Sequence, residues 1–394
     1  MKADIPSLLA DVAASVRRIG RRVQIMEVCG THTVSFFRSG IRSLLPPELR
    51  LISGPGCPVC VTAQRHVDAA MELGARPDVT ITTYGDMLRV PGRRGSLESL
   101  RAVGADVRVV QSAMKAVEWA AAHPTRQVVF LGVGFETTAP ATAAAVLAAR
   151  RDGIANFSVL MCHKLVVPAM TALLHGQRVL LDGFLCPGHV SVIIGAKAYR
   201  PLVQRFGKPC VVAGFEPSQL AMGLLHLVRQ IEDGAARLEN VYTGVVHETG
   251  NRTARGLMRR VFVVADAPWR AMGVIPRSGL ELAHAYREFD ALERFGITLG
   301  EDHDPPACRC GEVIQGVAMP EECPLFGNGC TPRTPIGPCM VSGEGTCGAW
   351  YRYASALRSR GGQWAKRWAH VDSHGRESSE VAAIGKPTPR GDLP

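Results

Sequence analysis

Residues 128–149, VVFLGVGFETTAPATAAAVLAA, contain the structural unit that recurs along this chain. Four apolar residues typical of a buried strand come first, a glycine-containing turn follows, and an alanine-rich helical segment ends the unit. Strands that alternate with helices build parallel sheets through right-handed crossovers. This stretch therefore predicts an α/β fold.

The same alternation continues on both sides of that stretch. Further strands are predicted at 23–28, 51–53, 79–83, 107–110, 157–161, 183–185, 211–213 and 261–264. Helices are predicted at 63–73, 97–103, 113–122, 168–174 and 217–230. The number of predicted strands is too large for one compact sheet in a chain of this length. We therefore expect two similar parallel-sheet α/β domains.

The composition along the chain predicts where these domains end. We expect a first α/β domain at 1–140, a second at 141–270, a small and mostly helical or irregular region at 271–370, and a disordered polar tail at 371–394. Within the third region, 280–295 is predicted to form one helix and 349–357 a closing helix.

Charge and hydropathy exclude several classes of protein. The 394 residues have a formal net charge of +10, but the basic residues are scattered and no aromatic residues alternate with them, so we expect no nucleic-acid partner. No apolar run has the roughly eighteen residues of a membrane helix, and the N-terminus does not resemble a signal peptide. We therefore expect a cytoplasmic protein whose twelve cysteines have metal or redox roles rather than forming structural disulfides.

The motif MEVCGTHT at 26–33 places Cys29 where a predicted strand meets a glycine turn. Ligands of open α/β sheets bind beyond the carboxyl ends of the strands. Cys29 is thus predicted to be a metal-binding or nucleophilic thiolate, with Glu27 and His32 close enough in sequence to tune it. The alternative is a small, buried, apolar cysteine.

The motif GPGCPVC at 54–60 places Cys57 and Cys60 three residues apart between a strand and a helix. A helix N-terminus stabilises a thiolate, and two cysteines at this spacing can form a disulfide. We expect a redox dithiol; half of a metal site and a plain turn are the alternatives.

The motif GFETTAP at 134–140 follows a predicted strand. It lacks the third glycine of a dinucleotide fingerprint and the lysine of a phosphate-binding loop, so nucleotide binding is not expected. Glu136 at the strand end is a candidate acid, base or ligand. The alternative is a carboxylate that only favours the start of a helix.

Six further cysteines lie in a proline- and glycine-rich segment that is short of core-forming residues. They are Cys308, Cys310, Cys323, Cys330, Cys339 and Cys347. The long gaps do not match the paired cysteines of ordinary zinc sites, so the spacing favours a 4Fe–4S cluster over zinc. Spacing alone does not determine which four of the six are ligands.

Five motifs in this order resemble the HypD family of hydrogenase maturation factors, over about residues 20–355. They are MEVCGTHT, GPGCPVC, GFETTAP, CPGHVS at 186–191 and CPLFGNGCTPRTPIGPCMVSGEGTC at 323–347. The resemblance implies two similar α/β domains with a smaller iron–sulfur region. It also implies a complex with HypC on which the Fe(CN)2(CO) group of NiFe hydrogenase is assembled, with cyanide supplied by HypE.

The resemblance also implies roles for individual residues. The family's cluster motif falls on Cys308, Cys323, Cys330 and Cys347 and leaves Cys310 and Cys339 outside. Its iron-binding cysteine matches Cys29, and its redox pair matches Cys57 and Cys60. We further expect His32 and Glu136 to donate hydrogen bonds or move protons at bound cyanide.

These features together predict an assembly scaffold with a redox-active dithiol rather than a conventional turnover enzyme. We expect a monomer that pairs with HypC, in which the iron is bound by Cys29 and by a cysteine of HypC. One alternative is an iron–sulfur thiol–disulfide reductase that acts on a protein disulfide through Cys57 and Cys60. Another is a zinc-stabilised structural adaptor.

Overall fold

A computed structural model of the chain describes residues 4–176, 180–303 and 305–359. The strands of this part of the chain are β1 Val23–Glu27, β2 Leu49–Ser53, β3 Val79–Thr83, β4 Val107–Val109, β5 Gln127–Gly132, β6 Phe157–Met161, β7 Gly183–Pro187, β8 Cys210–Ala213, β9 Leu238–Asn240, β10 Phe262–Trp269 and β11 Gly273–Leu282. They form two parallel sheets and one antiparallel hairpin, which confirms the α/β class.

Helices connect and cover the sheets. They are α1 Ile5–Ile19, α2 Gly30–Arg38, α3 Ile41–Leu44, α4 Pro58–Val61, α5 Gln64–Gly74, α6 Leu97–Ala102, α7 Ala113–Ala122, α8 Ala139–Arg151, α9 Val166–Gly176, α10 Gly188–Ile194, α11 Arg200–Phe206, α12 Pro217–Glu232, α13 Arg252–Val261, α14 Ala291–Phe295, α15 Cys310–Gln315 and α16 Thr346–Ser359. Among the described residues, none of these helices has the length and apolar character needed to cross a membrane.

The grouping of the strands into sheets does not match the expected domain boundary at residue 140. The five-stranded sheet has the order β2-β1-β7-β8-β9, and the four-stranded sheet has the order β4-β3-β5-β6. The chain therefore starts in one sheet, completes the other, and returns to the first. Because β5 and β6 pair along their length, a boundary between them would separate bonded neighbours. The tail from residue 371 lies outside the described residues.

The predicted helix at 280–295 is wrong. Its first residues belong to β11, in which Leu282 pairs with Phe262 of β10. A 3-10 turn follows at His284–Phe289, and a short helix begins only at Ala291. Asp290 caps that helix by accepting the backbone N–H of Leu292 at 2.8 Å. Strand pairing within the hairpin overrides the helical periodicity of this segment.

The cysteine-rich segment has little regular structure of its own and packs onto the five-stranded sheet domain. The closing helix α16 lies against α2, where Trp350 packs edge-on to Phe37 with ring centroids 5.4 Å apart. This contact brings the C-terminal cysteines to the carboxyl end of β1. The fold thereby collects motifs that are about 300 residues apart in sequence.

Candidate functional site

Cys29 lies at the topological switch point of the five-stranded sheet. Strand β1 is followed in sequence by β2 on one side, whereas its other neighbour, β7, is followed by β8 on the opposite side, so the strand order reverses between β1 and β7. Cys29 follows the carboxyl end of β1 and is the N-cap residue of α2. Ligands of open α/β sheets bind at such crevices.

The Cys29 thiol is held by the start of α2. The backbone N–H groups of His32 and Thr31 donate to its sulfur and favour the thiolate. Burial nevertheless raises the pKa of Cys29 to about 11, and the nearby charge of Glu344 raises it further. The thiol is therefore protonated at neutral pH and would lose its proton on binding a metal cation.

The loop before α4 packs directly on Cys29. A methyl group built on Gly56 would lie 2.4 Å from the backbone nitrogen of Cys29 and 2.6 Å from its Cα atom. Only glycine allows backbone to approach backbone this closely. The approach places the dithiol loop beside the Cys29 thiol.

Cys57 and Cys60 are arranged as a contacting dithiol across α4. The backbone N–H of Cys60 donates to the Cys57 sulfur at 3.4 Å, and the two thiols are also in contact. Cys60 is the deeper of the two, with 2% of its surface exposed. Burial, followed by the contact with Cys57, raises the pKa of Cys60 well above its ordinary value.

The C-terminal segment crosses directly over Cys60. A methyl group built on Gly345 would lie 3.0 Å from the Cys60 sulfur and 2.3 Å from the carbonyl oxygen of Cys339. The thiols of Cys339 and Cys310 both act electrostatically on Cys60. The dithiol of the N-terminal motif thus faces the two cysteines that the cluster motif leaves out.

Contacts between sulfur atoms continue through the C-terminal cysteines. The Cys339 and Cys347 sulfurs are 3.1 Å apart. The thiol of Cys310 contacts those of Cys308 and Cys339. Cys310 and Cys339 therefore lie between the dithiol and two members of the predicted cluster set, a position that their spacing did not reveal.

The four predicted cluster ligands have the donor chemistry that an iron–sulfur cluster requires. Cys330 accepts the backbone N–H of Ile336 at 3.3 Å, Cys323 lies 3.9 Å from the carbonyl oxygen of the residue before Cys308, and the charges of Cys308 and Cys330 act on Cys347. Largely buried thiols with N–H groups donated to sulfur are typical of such clusters. Among the described residues, however, no three His, Cys, Asp or Glu side chains are arranged as a metal-binding group.

Glu344 places a carboxylate near Cys29, and no feature of the sequence indicates this position. The Thr31 hydroxyl donates to its carboxylate at 2.8 Å. The charge of Glu344 acts on Cys29 and on His189, which follows β7 and stacks on Phe215. An acceptor for a proton released by Cys29 is therefore present.

Comparison with known proteins agrees with the motifs. The family described as "HypD: Hydrogenase formation hypA family" matches residues 4–354. The hydrogenase maturation factor HypD of Rhodobacter capsulatus is 45% identical over 358 residues, which is 89% of this chain and 95% of that protein. HypD of Escherichia coli (strain K12) is 45% identical, covering 84% of this chain and 90% of that protein.

The chain belongs to the HypD family of hydrogenase maturation factors. The hydrogenase expression/formation protein HupD of Azotobacter chroococcum mcd 1 is also similar, with 46% identity over 84% of this chain and 90% of that protein. The resemblance inferred from the five motifs is thereby confirmed.

His32 of this HypD family member has its ring bonded to the end of β8. Its Nε2 lies 3.1 Å from the Gly214 carbonyl oxygen and 3.3 Å from that of Ala213, at the end of β8. Burial lowers the pKa of His32 to about 4, so the ring is neutral and Nε2–H donates to these carbonyls. The buried Nδ1 has no partner among the described residues and is left as an acceptor rather than a donor.

Glu136 lies at the carboxyl end of the other sheet, four residues beyond β5. Its carboxylate accepts the backbone N–H of Val166, the first residue of α9, at 3.1 Å. Burial raises the pKa of Glu136 to about 7. Its described hydrogen bonds are made within its own domain, not with Cys29. The value near neutrality is consistent with proton transfer.

Glu27 pairs with an arginine rather than with the Cys29 thiol. Its carboxylate forms a buried ion pair with Arg42 and accepts the Ser53 hydroxyl at 3.0 Å. Arg42 also donates to the Leu51 carbonyl at 3.1 Å. This network fixes the ends of β1 and β2 beneath the site, so the suggested tuning of the thiol by Glu27 is indirect.

Proposed function

We propose that this protein is the scaffold on which the Fe(CN)2(CO) group of NiFe hydrogenase is assembled, in a complex with HypC. The observation that carries the proposal is the juxtaposition of Cys29 at a sheet switch point with the dithiol loop packed on it. Membership of a family described as acting in hydrogenase formation supports the proposal.

In this proposal Cys29 binds the iron, which is the substrate. Low-spin ferrous iron with cyanide and carbonyl ligands suits soft thiolate donors. Because the isolated Cys29 thiol is protonated at neutral pH, iron binding releases a proton. Glu344, which is hydrogen-bonded to Thr31 beside the sulfur, is positioned to accept it. A cysteine of HypC would provide a second thiolate.

Cys57 and Cys60 would act as the redox pair of the assembly. Closing their disulfide releases two electrons and two protons, and reopening it takes up the same number. The sulfur contacts through Cys339 and Cys310 support a path toward the cluster ligands Cys308, Cys323, Cys330 and Cys347. A 4Fe–4S cluster held there would supply electrons one at a time.

The same proposal includes the partners and the location. HypE would donate cyanide, and HypC would complete the iron site. The protein would be monomeric within that complex, would act in the cytoplasm, and would bind no nucleic acid. Glu136, with a pKa near neutrality, would move protons during ligand attachment. His32 would hold the end of β8 by donating Nε2–H to its carbonyls and would offer Nδ1 as a hydrogen-bond acceptor.

A thiol–disulfide reductase is the second candidate. The contact of Cys57 with Cys60, and the proximity of both Cys339 and Cys310 to Cys60, favour it, because such a chain can pass electrons to a disulfide in another protein. In that case Cys29 would have no role as an iron ligand.

The test is infrared spectroscopy of the complex with HypC, purified without oxygen from cells that also contain HypE. We expect cyanide and carbonyl bands in the wild type and in the control Cys210→Ala, which removes a buried cysteine of β8. The bands should be lost in Cys29→Ala. Bands that persist in Cys29→Ala would refute the scaffold role.

A wild type without bands would also refute the scaffold. If that protein reduced a disulfide-bonded test protein through Cys57, the reductase would be the better description.

A further inference from the structure

Strand β4 is an uncovered edge of the four-stranded sheet. It lies at the end of the order β4-β3-β5-β6, and among the described residues no strand or backbone bridge pairs with its outer side. The opposite edge, β6, is covered by the segment at Asp290, which forms a parallel bridge with Val159. Val109 of β4 is 47% exposed. An exposed edge strand is a template for pairing with another chain.

The backbone groups of Val109 point away from the sheet. The N–H of Ile81 in β3 donates to the Asp106 carbonyl at 2.9 Å, and the N–H of Val110 donates to the Thr83 carbonyl at 2.9 Å. Successive residues of a strand direct their backbone groups to opposite sides, so Val109, just before Val110, directs its N–H and C=O outward. A donor and an acceptor are therefore available to a strand that adds to this edge.

A cavity of about 380 Å³ lies beside this edge, between β4 and α7. Arg108, Trp119 and His123 are among the residues that line it. The Arg108 guanidinium lies 3.8 Å from the centre of the Trp119 ring, and the His123 ring stacks on Trp119 with centroids 3.8 Å apart. A strand added outside β4 directs alternate side chains toward this face of the sheet. The cavity therefore provides room for a side chain of the added strand.

The described ion pairs of this edge leave one positive charge unbalanced. The Asp106 carboxylate lies 2.7 Å from the Nε of Arg108 and 3.5 Å from the Nη2 of Arg126, so one carboxylate serves two guanidinium groups. Lys115 and Glu118 balance each other at 2.6 Å. An acidic residue on the added strand would complement the excess charge, because opposite charges across paired strands are stabilising.

We propose that β4 is the docking edge for an extended, acidic segment of a protein partner, which adds to the four-stranded sheet as a fifth strand. This inference rests on the proposed function, because the partner is taken to be a member of the assembly complex. A second copy of this chain is the poorer occupant. Antiparallel pairing of two β4 strands about Val109 would place the two Arg108 side chains on one face as diagonal neighbours, where like charges repel.

The first experiment is amide hydrogen exchange, followed by mass spectrometry, on the full-length protein purified without oxygen. It is measured on the protein alone and on its complexes with HypC and with HypE. We expect the amides of residues 107–111 to exchange rapidly in the protein alone and at least about tenfold more slowly in one of the complexes.

Calorimetric titration of variants with the same partner tests the strand pairing. Val109→Pro removes the outward N–H but no bond to β3, because proline is tolerated at a sheet edge, and it should weaken binding about tenfold. The control Val109→Thr keeps the N–H and should bind like the wild type.

Arg108→Gln tests the charge, and it decides the question if Val109→Pro does not fold. It should weaken binding and reduce the dependence of binding on salt concentration. The control is Arg205→Gln, since Arg205 also lies over an aromatic ring, that of Phe206, at 5.9 Å. That control should bind like the wild type.

The outcomes separate this inference from the proposed function. A complex that protects the segment around Cys29 but not residues 107–111 refutes the docking edge and leaves the scaffold role intact. Slow exchange of residues 107–111 in the protein alone refutes a partner strand: dependence on protein concentration would identify a second copy, and independence would identify a segment of the same chain. Unchanged affinity in folded Val109→Pro refutes strand addition. A wild type that binds neither protein refutes the proposed complex and the docking edge together.

Discussion

The stability of this protein should depend on pH through Glu136. The residue is 4% exposed, and burial raises the pKa of its carboxyl group to about 7 from the ordinary 4.5. Glu136→Gln keeps a side-chain oxygen that can accept the N–H of Val166 but removes the ionisation. The variant therefore isolates the effect of the charge.

The direction follows from the raised pKa. The folded chain binds this proton more tightly than the unfolded chain, so the stabilisation is complete below about pH 4.5 and is lost as the pH rises through about 7. A pKa difference of about 2.5 corresponds to roughly 3 kcal/mol. Relative to the wild type, Glu136→Gln should gain roughly 2–3 kcal/mol in free energy of unfolding between pH 5 and pH 8.

The assay is urea unfolding of both proteins at several pH values, without oxygen. Glu118→Gln is the control, because the Glu118 side chain is 54% exposed on α7 and its replacement should leave the pH dependence of the wild type unchanged. Infrared spectroscopy should in addition detect a protonated carboxyl group that titrates near pH 7 and is absent in Glu136→Gln. If the curves of Glu136→Gln and wild type run parallel from pH 5 to pH 8, the burial argument is wrong.

Two further predictions concern the support of the site. Gly56→Ala places a methyl group within 2.4 Å of the Cys29 backbone nitrogen. Because the backbone has little room to move, we expect urea unfolding to show a loss of about 1–3 kcal/mol in the free energy of unfolding. The control Gly300→Ala, where the space is open, should change that free energy little. Glu27→Gln leaves the buried Arg42 without its counter-ion, and we expect a loss of about 3–5 kcal/mol in the free energy of unfolding. Glu118→Gln breaks an exposed ion pair and should cost less than about 1 kcal/mol. Equal losses in the two variants would show that burial does not strengthen the Glu27–Arg42 pair.

The sequence alone determined the local structure of the parallel sheets. The predicted strands at 79–83 and 157–161 have the observed bounds of β3 and β6. Short β-branched and apolar runs flanked by turn residues decide such strands, since their burial needs no particular partner. The motifs around Cys29 and Cys57 likewise identified the family, because their order along the chain is specific.

Pairing between distant segments was not visible in the sequence. The segment 280–295 has a helical pattern, but hydrogen bonds with β10 make its start a strand. In the same way β1 and β2 pair in one sheet with β7, which lies beyond the entire four-stranded sheet in sequence. Periodicity reports which face of a segment is buried, whereas the partner that buries it depends on the whole chain.

The candidate site also has one part that the sequence reveals and another that only the fold reveals. Cys29, Cys57 and Cys60 are recognisable because chemistry fixes residue type and spacing within each motif. The positions of Cys339 next to Cys60 and of Glu344 beside Thr31 arise only in the folded chain, because they join segments that no local rule relates. Burial then decides their charge states, and burial is a property of the tertiary structure rather than of any motif.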